Sequence, residues 1–234
     1  MFMLSEIEDT IHVEPKQFAM PSADALVDQI KAKYANRILQ DVGLCICVND
    51  ILDASEGRVR WGDGFLYYTV RFRLVIFRPF TNEVLVGRIS SSSSESIRVT
   101  MGFFDDIYIP PHLLPYPAAF DYQEQAWFWL LDPASEAHKA DPLLSAPDER
   151  MYLDMGDTIR FAIESDSFVD VEPGPAAAEG KPTATHSAAG VLPGAPGSKS
   201  AANYASYKIV ASIAGQGLGP VSWWAGAEQV PVEE

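Results

Sequence analysis

Between residues 66 and 76 every even position is apolar: Leu66, Tyr68, Val70, Phe72, Leu74 and Ile76. Phe80 continues that set, and only Arg78 interrupts it. The odd positions carry Thr69, Arg71 and Arg73, then Val75 and Phe77. A period of two sorts side chains onto opposite faces of a strand, and no helix holds such a pattern on one face. Sixteen residues, 65–80, would span about 53 Å at ~3.3 Å each, against ~5–6 residues for an ordinary strand. Either one strand leaves a first domain and enters a second, or two strands meet at a bend, with Pro79 marking an edge or bulge. The ribbon therefore predicts a chain of two modules with a β coupling between them.

The segment before the ribbon reads as a small α+β unit. Residues 1–14 form a strand that leads to Pro15. Leu26, Ile30, Tyr34 and Ile38 recur every fourth residue, which predicts a helix from a Ser22 cap through Leu39. VGLCICVNDI at 42–51 reads as a buried strand, and 53–64 as turn material in which Gly57, Gly62, Asp63 and Gly64 supply positive-φ positions. After the ribbon come short β segments: EVLVGRI, SIRVTM, DDIYIP, EQAWFWLL at 124–131, residues 155–171, and YASYKIVASI at 204–213. Five or six short strands after a compact α/β unit predict a small barrel of OB type. Residues 132–150 read as loop. Residues 172–203, rich in Pro, Gly, Ala and Ser, read as a disordered insertion in a barrel loop.

Charge limits the functions open to such a chain. The whole sequence has a formal net charge of -15, which opposes autonomous tight binding to phosphate backbones. The acidity concentrates in residues 81–170, with 5 basic and 16 acidic side chains, a net of -11. Any RNA contact there must use local patches. Cys45 and Cys47, two apart on a strand, point to one face and read as small buried hydrophobes. They fall short of a zinc ligand set. The opening residues lack the layout of a signal peptide, and no apolar run reaches the ~20 residues of a membrane span. A soluble protein of the cytosol or nucleus is expected.

Catalytic signatures are missing from the sequence. His12, His112, His138 and His186 are scattered, the run Ser90–Ser94 has no adjacent base, and Asp105–Asp106 reads as a solvated turn sooner than a metal site. Neither catalysis nor a cofactor or metal is expected. Candidate nucleic-acid contacts are Arg88, Arg98 and Lys208 on predicted barrel strands, with Phe103 and Phe104 where a strand could bulge. Trp127 and Trp129 share one strand face and read as core.

Several blocks resemble one family. MFMLSEIEDTIHVEP, VGLCICVNDI, WGDG and VIFRPF resemble the N-terminal tip domain of polymerase stalk subunits, a family with archaeal members that also includes the seventh subunit of RNA polymerase II. EVLVGRISSSSSESIRVTMGFFDDIYIPPHLLP and the terminal GLGPVSWW look like the RNA polymerase III member. Residues 132–150 and 172–203 depart from it. The resemblance implies an RNP-like tip domain over 1–80, with a small sheet and a helix, then an S1-like OB-fold barrel over 81–234. It implies a non-catalytic stalk subunit of the nucleus, acting in initiation. Gly62, Asp63 and Gly64 would touch the polymerase core near the clamp. A smaller helical stalk subunit would complete a heterodimer, with initiation factors and nascent RNA as further partners and no membrane. The competing reading is a free-standing OB-type RNA-binding protein of translation or RNA processing. That protein would need an exposed basic or aromatic face and would be monomeric.

Overall fold

The computed structural model describes residues 1–130, 142–169 and 206–224. The first unit contains β1 (Phe2–Val13), α1 (Ser22–Tyr34), β2 (Ile38–Leu39), β3 (Gly43–Ala54), β4 (Arg58–Val59) and β5 (Leu66–Phe77). The strands pair antiparallel in the order β1-β5-β3-β2, and β4 adds to β5. The alternation predicted for β5 is what builds this layer. Val70, Phe72, Leu74 and Ile76 face α1 and meet its Ala25, Leu26 and Ile30. The opposite face is solvated and carries rows of unlike charge, Glu6–Arg73–Asp50 and Glu8–Arg71–Asp53. Cross-strand pairs of opposite sign let a flat sheet face stay in water.

Three local expectations need correction. The helix ends at Tyr34, four residues after Ile30, and not at Leu39. Asn36 takes a positive φ of 57° and its N–H donates to the Cys45 carbonyl, which turns the chain so that Ile38 and Leu39 pair with β3. Pro21 holds the N-cap position, so Ser22 begins the first turn and does not cap it. Cys45 and Cys47 do not share a face. A bulge between them leaves Cys45 buried and Cys47 exposed, because the extra residue reverses the alternation. Burial also pushes the Cys45 thiol pKa up. Titration of the native chain with a thiol reagent should consume one equivalent quickly and the second only on unfolding. Two fast equivalents would count against the bulge.

The ribbon is shorter than the sixteen residues expected: β5 stops at Phe77. Residues 78–83 then turn the chain, with Asn82 at φ 66°, into the barrel. Gly43 sits where the sheet meets the barrel. Its φ is 136°, and a Cβ there would lie 2.7 Å from the Phe77 carbonyl oxygen, so no other residue fits.

The second unit contains β6 (Val84–Ser92), β7 (Ile97–Thr100), β8 (Ile107–Ile109), β9 (Ala118–Asp121), β10 (Ala126–Leu130), β11 (Arg150–Leu153), β12 (Thr158–Phe168), β13 (Tyr207–Ser212) and β14 (Gly219–Pro220). Five strands run β13-β8-β7-β6-β12, and pairing of β12 with β13 closes the barrel. β8 and β13 are parallel and the other barrel pairs antiparallel. This is the five-stranded OB arrangement. β10 is not a barrel strand as predicted. It is the centre of a separate sheet, β11-β10-β9, inserted between β8 and β12. Trp127 on β10 is buried in the barrel core and donates its Nε1–H to the Ser93 carbonyl at 2.7 Å, pinning the β6–β7 turn. Trp129 packs at a tilt against Trp223, ring centroids 5.1 Å apart. The insertion predicted at 172–203 lies outside the described residues.

Candidate partner and nucleic-acid surfaces

The tip at 58–65 lies at the end of β5 away from the barrel. Leu66 to Phe77 spans about 36 Å at ~3.3 Å per residue. Gly62 and Gly64 both take positive φ, 104° and 71°, and nothing crowds them. Asp63 organises the loop: its carboxylate accepts from the Tyr67 hydroxyl at 2.8 Å and from the Phe65 N–H at 3.1 Å. The Tyr67 bond leads in holding the Asp63 carboxyl below the usual carboxylate range. The Arg60 N–H donates to the Phe65 carbonyl, and the Arg60 guanidinium lies 5.9 Å from the Tyr67 ring. The turn residues thus act as a frame, and what they present is Trp61, which is 100% exposed. The family resemblance singled out Gly62, Asp63 and Gly64 and passed over this side chain. A lone tryptophan inside a Gly-rich turn was the available signal.

On the barrel, the predicted cations part company. Arg98 donates from Nη2 to Asp106 at 2.9 Å and from Nε to the Asp105 carbonyl at 2.9 Å. It and Lys208 flank the Tyr108 ring at 5.9 and 4.8 Å. Tyr108 is buried beneath them, and desolvation raises its hydroxyl pKa. Arg88 is elsewhere, exposed on β6, cross-strand from Thr100 on one side and Thr158 on the other. The two phenylalanines also separate. Phe104 is corrected as a nucleic-acid candidate: it is 5% exposed and packs on Phe77 and Tyr207 at 5.4 Å each, so no base can reach its face. Phe103 is 42% exposed and leans on Phe2 and Phe77.

Those rings belong to a joint between the two units. Phe77, on the first sheet, is fully buried in the same core as the barrel residues Ile97, Ile107 and Tyr207. Beside it Arg78 donates to Asp166 at 2.9 Å and to the Asp41 carbonyl at 2.6 Å. Its guanidinium lies 5.3 Å from the Phe168 ring, which stacks on Tyr207 at 4.4 Å. Arg78, the one charge that broke the apolar alternation, ties both units together.

A fully exposed aromatic on a stiff tip, coupled to an OB barrel, is a connector's layout. The comparisons with known proteins decide which connector. Residues 83–224 match the family described as RNA polymerase III subunit Rpc25. Residues 8–64 match the SHS2 domain found in the N terminus of Rpb7p, Rpc25p and MJ0397. The chain is 39% identical over 224 residues to DNA-directed RNA polymerase III subunit rpc8 of Schizosaccharomyces pombe, covering 96% of this chain and 100% of that protein. This chain belongs to the RNA polymerase III subunit Rpc25 family. It is 38% identical over 225 residues to the subunit RPC8 of Bos taurus, covering 96% of this chain and 98% of the relative. The archaeal polymerase subunit Rpo7 of Saccharolobus shibatae is more distant, at 24% over 107 residues, 46% of this chain and 59% of the relative. As an Rpc25 family member the chain is a non-catalytic stalk subunit of DNA-directed RNA polymerase III.

Proposed function

We propose that residues 1–80 dock this subunit on the polymerase III core near the clamp, through the Trp61–Gly64 tip. Residues 81–234 then hold the OB barrel near exiting RNA, and a smaller helical stalk subunit lies along the side. The assembly acts in the nucleus, in initiation at small RNA genes, and initiation factors reach it there. The tip supports this reading most directly. Burying a tryptophan removes ~150–250 Å² from water, worth roughly 4–6 kcal/mol at ~25 cal/mol/Å² before the costs of association. A framed loop loses little entropy on docking, so most of that gain survives. Trp61→Ala should weaken core attachment about thirtyfold or more, as hot-spot truncations of ~2 kcal/mol and above do. In a tagged purification at moderate salt, the variant should recover its small stalk partner and lose the large core subunits. Unchanged recovery of core subunits would refute the docking assignment.

The side surface has its own support. Phe2 (50% exposed) and Leu4 (52%) project from β1 on the solvated sheet face, beside the barrel. Contiguous exposed apolar residues mark partner contacts. Expressed alone, the chain should aggregate on size exclusion, and co-expression with the small subunit should give one sharp heterodimer peak. A stable monomer would favour the free-standing RNA-binding reading.

A further inference from the structure

We infer that single-stranded RNA runs its phosphates across the β12–β6–β7 face of the barrel, held by Arg88 and Arg160, and not across the β7–β8 face that OB barrels usually offer. The contrast rests on where positive charge is already neutralised. Among the described residues of the barrel unit the cations are Arg88, Arg98, Arg150, Arg160 and Lys208. Arg98 is bound to Asp106 and Arg150 to Asp121. Lys208 lies on the Tyr108 ring. The β7–β8 face thus has its guanidinium engaged and its one aromatic ring covered, leaving little for an incoming strand.

Arg88 and Arg160 differ: among the described residues neither has a carboxylate partner. They sit on adjacent antiparallel strands, with Thr158 opposite Arg88 and Arg160 opposite Val86. Both point outward, since their neighbours Gly87, Ile89, Ile159 and Phe161 are buried. Two like charges in diagonal register repel each other, and a chain of net charge -15 has acids in plenty to separate them, yet none is used here. The surface beside them is an open groove of about 420 Å³ lined by Val86, Arg88, Thr100, Gly102 and Thr158 among others. The Thr158 hydroxyl and the exposed Arg88 guanidinium suit phosphate oxygens. Asp105 stands at the rim with its carboxylate taken up by the Thr100 hydroxyl. Phe103, next in chain to Gly102, is half-exposed at the same end and offers a face for a base.

The inference deepens the reading that the barrel faces RNA and rests on it. The test is fluorescence anisotropy of a labelled 20-nucleotide oligouridine against the full chain as it purifies on an affinity tag. The wild type should bind weakly at 50 mM salt and lose the RNA as salt rises. The double variant Arg88→Ala, Arg160→Ala should bind about tenfold more weakly, and its salt slope should be shallower by about 1.4, the value for two phosphate contacts on a single strand. Arg98→Ala and Lys208→Ala should each stay within about twofold of wild type. Arg88→Glu, a single change at an exposed site, should reproduce most of the loss if the double variant folds poorly. Equal binding by wild type and Arg88→Glu would overturn the inference, as would an equal loss on Arg98→Ala or no low-salt binding by the wild type. Loss of a protein from the purified complex with RNA affinity intact would overturn it too, making the groove a protein contact. Recovery of core subunits is scored separately. A polymerase-bound chain with unaltered RNA binding would defeat this inference and leave the docking proposal standing.

Discussion

Phe77→Ala should lower the stability of the chain by about 3–5 kcal/mol, the usual cost of emptying a phenylalanine site in a closed core. For a chain of this size that corresponds to a fall of roughly 6–20 °C in Tm. The consequence goes beyond a cavity. Phe77 is fully buried, and its ring centroid lies 5.8 Å from Phe2, 5.0 Å from Phe103 and 5.4 Å from Phe104. It is the last residue of a strand whose hydrogen bonds belong to one unit while its side chain belongs to the other. Removing the ring uncouples the tip sheet from the barrel, so calorimetry should resolve two transitions where the native chain gives one. Phe80→Ala, three residues on and 62% exposed, should change stability by less than about 0.5 kcal/mol. A single transition shifted by less than about 2 °C in Phe77→Ala would show that the joint is held by something else.

That joint also shows what the sequence could and could not disclose. Alternation at 66–77 determined the strand and its buried face, because the helix above accepts only one of the two sets. The length of the ribbon misled: apolar character continues through Phe80, but Phe77 already belongs to the next core, and a side chain's membership of a core does not show in periodicity. The bulge at Cys45–Cys47 was hidden for a related reason. An extra residue changes the face without changing the composition, and only the register with β5 reveals it. β9 and β11 read AAFD and RMYL, too short and too irregular to signal strands, and they form a sheet only because β10 lies between them. Family resemblance carried the tip motif, but resemblance marks what relatives share. Trp61 and Arg160 had to be found by exposure and by missing partners.

The inserted sheet depends on one residue, and Arg150→Met should unfasten it. Arg150 donates from Nη1 to Asp121 at 2.9 Å, from Nη2 to the Leu143 and Ser145 carbonyls at 2.8 Å each, and from Nε to the Ser145 hydroxyl at 3.2 Å. Its guanidinium covers the fully buried Phe128 ring at 4.7 Å. Charge-assisted bonds to carbonyls are worth ~1.5–3 kcal/mol each, so the two to Leu143 and Ser145 alone put the loss near ~3 kcal/mol or above. Methionine keeps the apolar stem over Phe128, which confines the change to the polar hub. Lysine should not rescue it, because one ammonium cannot span acceptors arranged around a planar fork. Asp121 adds a pH signature. The Gln123 N–H, with Tyr152 and Arg150 beside it, holds that carboxyl below the usual carboxylate range. The unfolded chain takes up the proton first, so stability present above pH ~4 is lost as the pH falls further. Hydrogen exchange should show β9, β10 and β11 opening together in Arg150→Met. The β6–β7 turn should loosen with them, since Trp127 on β10 holds the Ser93 carbonyl. Barrel amides on β8 and β13 should keep their protection. Unchanged exchange across 118–130, with Tm within about 2 °C of the native value, would mean that packing against the barrel holds this sheet without the arginine.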